Sequence, residues 1–112
     1  MPYRIAIASD DGEYVNQHFG KADSFLIYEI SGEGVVFVED REIKANSSSE
    51  KKEILLAEQL RDCKAVFVTK IGMTASRYLY QQDIKSFQVD FSLNHILNVL
   101  VKNERQRRIK IL

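Results

Sequence analysis

The sequence predicts an α/β fold, a mixed five-stranded sheet flanked by helices in the order βββαβαβα, on three observations. Two β-branched and aromatic runs, 24–30 and 35–42, flank Ser31-Gly32-Glu33-Gly34, whose glycines suit the positive φ of a tight hairpin. The short apolar run Ala65-Val66-Phe67-Val68 reads as a strand covered on both faces, and a helical stretch and another strand-like run, 84–89, follow it. Leu93, Ile96, Leu97, Leu100 and Val101 recur at i, i+3, i+4, i+7 and i+8, the stripe of an amphipathic helix.

Taken in order, residues 3–9 form a first strand that stops at the turn signal Asp10-Asp11-Gly12. The segment Val15-Asn16-Gln17-His18-Phe19-Gly20 is a loop between strand-like runs. After the hairpin, 43–49 is polar; Ser47-Ser48-Ser49 marks the most mobile loop, and Ser47 with Glu50 reads as a capping box. A helix over 50–62 is expected to bury Leu56, Leu60 and Cys63. Gly72 precedes a helix over 73–82, and Ser92 caps the last helix. The Val66 and Ile84 strands are then parallel with the Met73 helix between them, and the first strand is expected to be the other parallel neighbour.

Composition sets limits on function. A chain of 112 residues, 45% hydrophobic and 29% charged, fits a single globular domain over 1–112 and excludes disorder as its main state. Sixteen basic and sixteen acidic residues cancel, so nothing global attracts nucleic acid or an anionic membrane. Cys63 stands alone and excludes an intramolecular disulfide; with no signal-peptide-like or membrane-spanning apolar run at the start, a cytoplasmic location is expected.

In a parallel arrangement, the loop after Ser9 and Thr69-Lys70-Ile71-Gly72 leave the same carboxyl-terminal edge, where open α/β sheets bind ligands. His18 then faces the amino end of the Met73 helix, whose unpaired N–H groups and partial positive charge favour an anion. Lys21, Lys70 and Arg77 add charge. Imidazole, backbone donors and cations together suit a bulky anionic metal–sulfur cluster better than a bare divalent cation.

The run Ile5-Ala6-Ile7-Ala8-Ser9 into Asp10-Asp11-Gly12, then Val15-Asn16-Gln17-His18-Phe19-Gly20-Lys21-Ala22 with Phe25 and Tyr28, resembles the dinitrogenase iron–molybdenum cofactor biosynthesis family. That family includes NifX-like carriers and the carboxyl-terminal part of NifB-like proteins; Asp62-Cys63 and Ile71-Gly72 also fit, so the resemblance spans nearly the whole chain. It implies a ribonuclease-H-like α/β domain that binds iron–sulfur or iron–molybdenum cluster precursors transiently, passes them on and turns over no substrate. It places the metal contact at His18, in the His-Phe-Gly motif, within a site of Asn16, His18, Phe19, Gly20, Lys70, Gly72 and Met73. The implied partners are cluster donor and acceptor proteins. Because Asn46-Ser47-Ser48-Ser49 offers no further thiolate or imidazole, a homodimer or a partner protein is expected to complete the coordination.

Blander roles stand beside these. His18 alone reads as capping its own loop, Phe19 as packing that loop on the core, and Gly12 and Gly20 as relieving backbone strain. Cys63 reads as a buried apolar residue rather than a thiolate, and His95 as a solvated surface residue. Asp10, Asp11, Glu13 and Asp23 suggest a two-Mg²⁺ nuclease, against which stands a solvated acidic turn. The basic tail from Lys102 onward complements the end of its helix. A protein–protein interaction module that binds no cluster is the alternative function.

Overall fold

The computed structural model describes residues 2–44 and 51–110. Strand β1 (Tyr3–Ile7) leads into a loop ending in a single 3-10 turn (Phe19–Lys21), and β2 (Ser24–Ser31) and β3 (Gly34–Glu42) follow as an antiparallel hairpin. Then come α1 (Lys52–Gln59), β4 (Cys63–Val68), α2 (Met73–Gln81), β5 (Lys85–Gln88) and α3 (Leu93–Lys110). The strands form one sheet in the order β3-β2-β1-β4-β5, antiparallel on the hairpin side and parallel from β1 through β4 to β5.

Successive strand residues face opposite sides, which splits the core in two. Ala6, Ile27, Val66 and Val68 meet Leu56, Leu60 and Leu79, so α1 and α2 cover one face. Ile5, Ile7, Ile30 and Phe67 meet Leu93, Ile96, Leu97 and Val101, so α3 covers the other. Strand β4 is continuously apolar between Ala65 and Val68 because it lies between both layers.

Helix α1 is shorter than 50–62 predicts. Lys51 occupies the N-cap, and the expected Ser47–Glu50 capping box and mobile serine loop fall on 45–50, outside the described residues. At the other end Leu60 leaves helical geometry (φ −108°, ψ 19°), and the Cys63 N–H donates to its carbonyl at 2.9 Å. Cys63 is therefore the first residue of β4, not the last of a helical stripe. Its spacing from Leu56 and Leu60 misleads because the turn delivers it to the same core, where it is 1% exposed.

Turn chemistry follows expectation at Gly12 (φ 74°) and Gly34 (φ 140°) but not at Gly20 or at Gly32 of the hairpin, neither of which has a positive φ. Asp83 takes φ 66° after α2, a left-handed residue that sequence reasoning passed over. Ser92 caps α3 as predicted, its Oγ accepting the His95 N–H at 3.1 Å.

Arg41 of β3 donates to both carboxylate oxygens of Asp62, at 2.6 and 2.9 Å, and to the Gln59 carbonyl at 3.0 Å. Arg4 reaches the same carboxylate at 3.2 Å, so one acid ties β1 and β3 to the α1–β4 turn. The Arg41 hydrogen bonds hold the Asp62 carboxyl down at about 2. A depressed folded-state value stabilises above the unfolded carboxylate range and is lost as pH falls through it. Asp62→Asn should cost up to about 1 kcal/mol at pH 7, since the pair is partly solvated. Thermal melts should show the difference from wild type closing as pH drops from about 4 to about 2.

Candidate functional site

The parallel ladder continues past the sheet, the Ala8 N–H donating to Phe67 O at 2.9 Å. The returning loop is then stitched to both strands. Asn16 and Gln17 donate to Ala8 O at 3.1 and 3.3 Å, Thr69 donates to Gln17 O at 2.9 Å, and Phe19 donates to Lys70 O at 2.9 Å. His18 and Lys70 form a parallel bridge. Both loops thus leave the carboxyl-terminal edge, as the sequence predicts.

Along this extended stretch side chains alternate. Phe19 turns into the core, 1% exposed with its ring 6.0 Å from that of Phe25, and His18 is left exposed. The His18 carbonyl accepts N–H groups from Lys21 and Ala22 at 3.2 and 3.1 Å, so the exposed imidazole stands on a fixed backbone.

Across from it α2 starts at Gly72, which provides no side-chain cap; Ser76 donates to Gly72 O at 2.9 Å, and the helix N–H groups ahead of it have no intrahelical acceptor. Between lies an open cleft of 860 Å³ lined by His18, Phe19, Gly20, Lys70, Gly72 and Met73. Lys21, Lys51 and Glu53 also border it, giving three lysines against one carboxylate. A Cβ at Gly72 would meet nothing within 4 Å, so that glycine leaves the helix start uncovered rather than relieving a clash.

Six of the seven predicted site residues therefore share one cleft. Asn16 stands apart: its Nδ2 donates to Asp10 Oδ1 at 2.6 Å and its Oδ1 accepts the Asp10 N–H at 3.0 Å, which clasps the loop shut. Arg77 lines an adjoining cleft, also 860 Å³, that shares Ile71 and Met73 with the first. Lys51, Glu53, Thr74 and Ala75 complete the lining without having been singled out in sequence. For Lys51 and Glu53 no local signal exists, because only the tertiary placement of the α1 start brings them there.

The acidic turn is spent on its own backbone. Asp11 Oδ1 accepts the N–H groups of Glu13 (2.8 Å) and Tyr14 (3.0 Å), and these bonds, Tyr14 foremost, hold its carboxyl below the usual range. Among the described residues no group of three or more His, Cys, Asp or Glu is placed to hold a metal ion. His95 is exposed on α3, edge-on to Phe91 with ring centroids 5.0 Å apart. Cys63, at the amino end of β4, sits on the edge of the sheet opposite the cleft.

A family model described as "Dinitrogenase iron-molybdenum cofactor" matches residues 1–103. The FeMo cofactor biosynthesis protein NifB of Azotobacter vinelandii is 40% identical over 78 residues, 63% of this chain. The match spans only 16% of that protein's length. Protein NifX of Klebsiella pneumoniae is 25% identical over 93% of this chain and 74% of its own. The crystal structure of PH0822 superposes with a TM-score of 0.72 at 26% identity, covering 90% of this chain and 92% of that one.

Cys63 offers a test of the site's boundary. Burial first, and the Asp62 carboxylate second, push its thiol up to about 12. A thiol-alkylating reagent at pH 8 should leave the native chain unmodified over hours and react within minutes in denaturant, followed by intact mass. Rapid native alkylation would show an accessible thiolate that this packing forbids.

Proposed function

We propose, for a chain that belongs to the dinitrogenase iron–molybdenum cofactor family, a role as a non-catalytic carrier or scaffold that binds iron–sulfur or iron–molybdenum cluster precursors transiently and passes them on during metallocofactor assembly. The observation that supports this reading is the meeting of His18 with the uncovered start of α2 in a lysine-rich cleft. In the same reading the chain acts as one cytoplasmic domain over 1–112, its sheet order is that of a ribonuclease-H-like motif, and its partners are the cluster donor and acceptor proteins.

The neutral imidazole of His18 donates a lone pair to cluster iron, while the helix N–H groups and Lys21, Lys51 and Lys70 complement the cluster's negative charge. The same lysines repel a bare divalent cation. A single imidazole in an open cleft favours release over storage, and a homodimer or a partner protein fills the remaining coordination. In this reading the chain turns over no substrate. The interaction-module reading draws on Val36 and Phe37, 61% and 54% exposed on edge strand β3.

Anaerobic incubation with an iron–sulfur cluster precursor, re-isolation and iron analysis with absorption spectroscopy test the carrier role. Wild type should retain cluster and His18→Ala at least about tenfold less. Equal retention by both proteins would remove His18 from the mechanism.

A further inference from the structure

We infer that the Met73 thioether is a second protein donor of the cleft, ligating cargo iron from the wall opposite the His18 imidazole; the inference rests on the carrier reading and deepens it. Met73 is 75% exposed at the first position of α2, whereas an unbranched apolar side chain of this kind ordinarily fills gaps in a core. It borders both clefts, so its three rotatable bonds have open space on either side of the helix start. Among the described residues, the imidazole and this thioether are the cleft's only His, Cys or Met side chains, because Cys63 lies at the far edge of the sheet.

The placement favours a cluster over a single ion. His18 bridges to Lys70, and the three-residue step from Lys70 to Met73 spans at most about 11 Å of chain. Two donors lining one open cleft of 860 Å³ can reach different irons of one cluster, whereas ligands of a single ion must converge on a point. A thioether is a soft donor of the kind that selects iron–sulfur clusters. It gives a lone pair to iron in exchange for a labile terminal ligand, with no proton lost and no electron transferred. Being neutral, it leaves the lysines free for the cluster's charge, and being a weak ligand it yields easily to an acceptor protein's thiolate.

A rival role for Met73 is an apolar knob that docks a partner protein. Met73→Leu separates the two, since leucine keeps the knob and removes the sulfur. The chain has two methionines, Met1 and Met73, so selenomethionine labelling places selenium at only those positions. The labelled protein is loaded anaerobically with a cubane iron–sulfur cluster carrying exchangeable thiolates, re-isolated, assayed for iron and examined at the selenium K-edge. A selenium–iron shell is expected in wild type and its absence in Met73→Leu, with iron retention several-fold lower in the variant and an unchanged thermal melt. Retained iron without a selenium–iron shell, or Met73→Leu retaining as much iron as wild type, would overturn the inference and leave the carrier reading standing. No retained iron in wild type would overturn both.

Discussion

The parallel pairing of β1 with β4 is the constraint from which the cleft follows. Its register, Ile5 beside Ala65 and Ile7 beside Phe67, brings the carboxyl ends of both strands to one edge. Ala8 O can then accept two N–H groups from the returning loop, and Lys70 O can accept the Phe19 N–H. With β4 reversed, the loop after β1 and the start of α2 would lie at opposite ends of the sheet. The far side of the same loop is pinned to the start of α3, where Val15 donates to Phe91 O at 3.1 Å and Leu93 donates to Glu13 O at 2.8 Å. A flexible excursion becomes a fixed wall.

On that frame, local charge departs from the balance of the whole chain. Net charge is zero, yet the cleft gathers Lys21, Lys51 and Lys70 beside an uncapped helix start and a single glutamate. Exposed lysines are screened over about 8 Å at physiological salt, so their effect is confined to a ligand seated in the cleft. Phe19 supplies the complementary restraint. With its ring buried against Phe25, the strand alternation leaves His18 no route into the core. Exposure of the imidazole is thus a consequence of packing rather than of loop disorder.

Much of this was legible in the sequence because the signals were periodic. The two runs flanking the hairpin, the apolar β4 run and the α3 stripe each carry a spacing that one structure satisfies, and the carboxyl-edge rule then brought His18 and Gly72 together. What was not legible depends on contacts between distant segments. Cys63 keeps helical spacing from Leu60 although a turn intervenes, and only the Leu60 backbone geometry shows where α1 stops. Asn16 lies inside the His18 motif, but its amide is committed to Asp10 six residues earlier, a pairing that residue identity alone does not select over a ligand contact. Arg77 shares α2 with Met73, yet it faces the adjoining cleft.

In the proposed carrier, cargo sits between His18 and the start of α2. Two-dimensional NMR of the ¹⁵N-labelled chain, titrated anaerobically with a paramagnetic iron–sulfur cluster, locates it residue by residue. Line broadening is expected to centre on the amides of His18, Phe19, Met73, Thr74 and Ala75, to fade along α2 and to be absent from the β3 edge and from Cys63. Broadening centred on β3 or on the acidic turn at Asp11, with the α2 start unaffected, would contradict it.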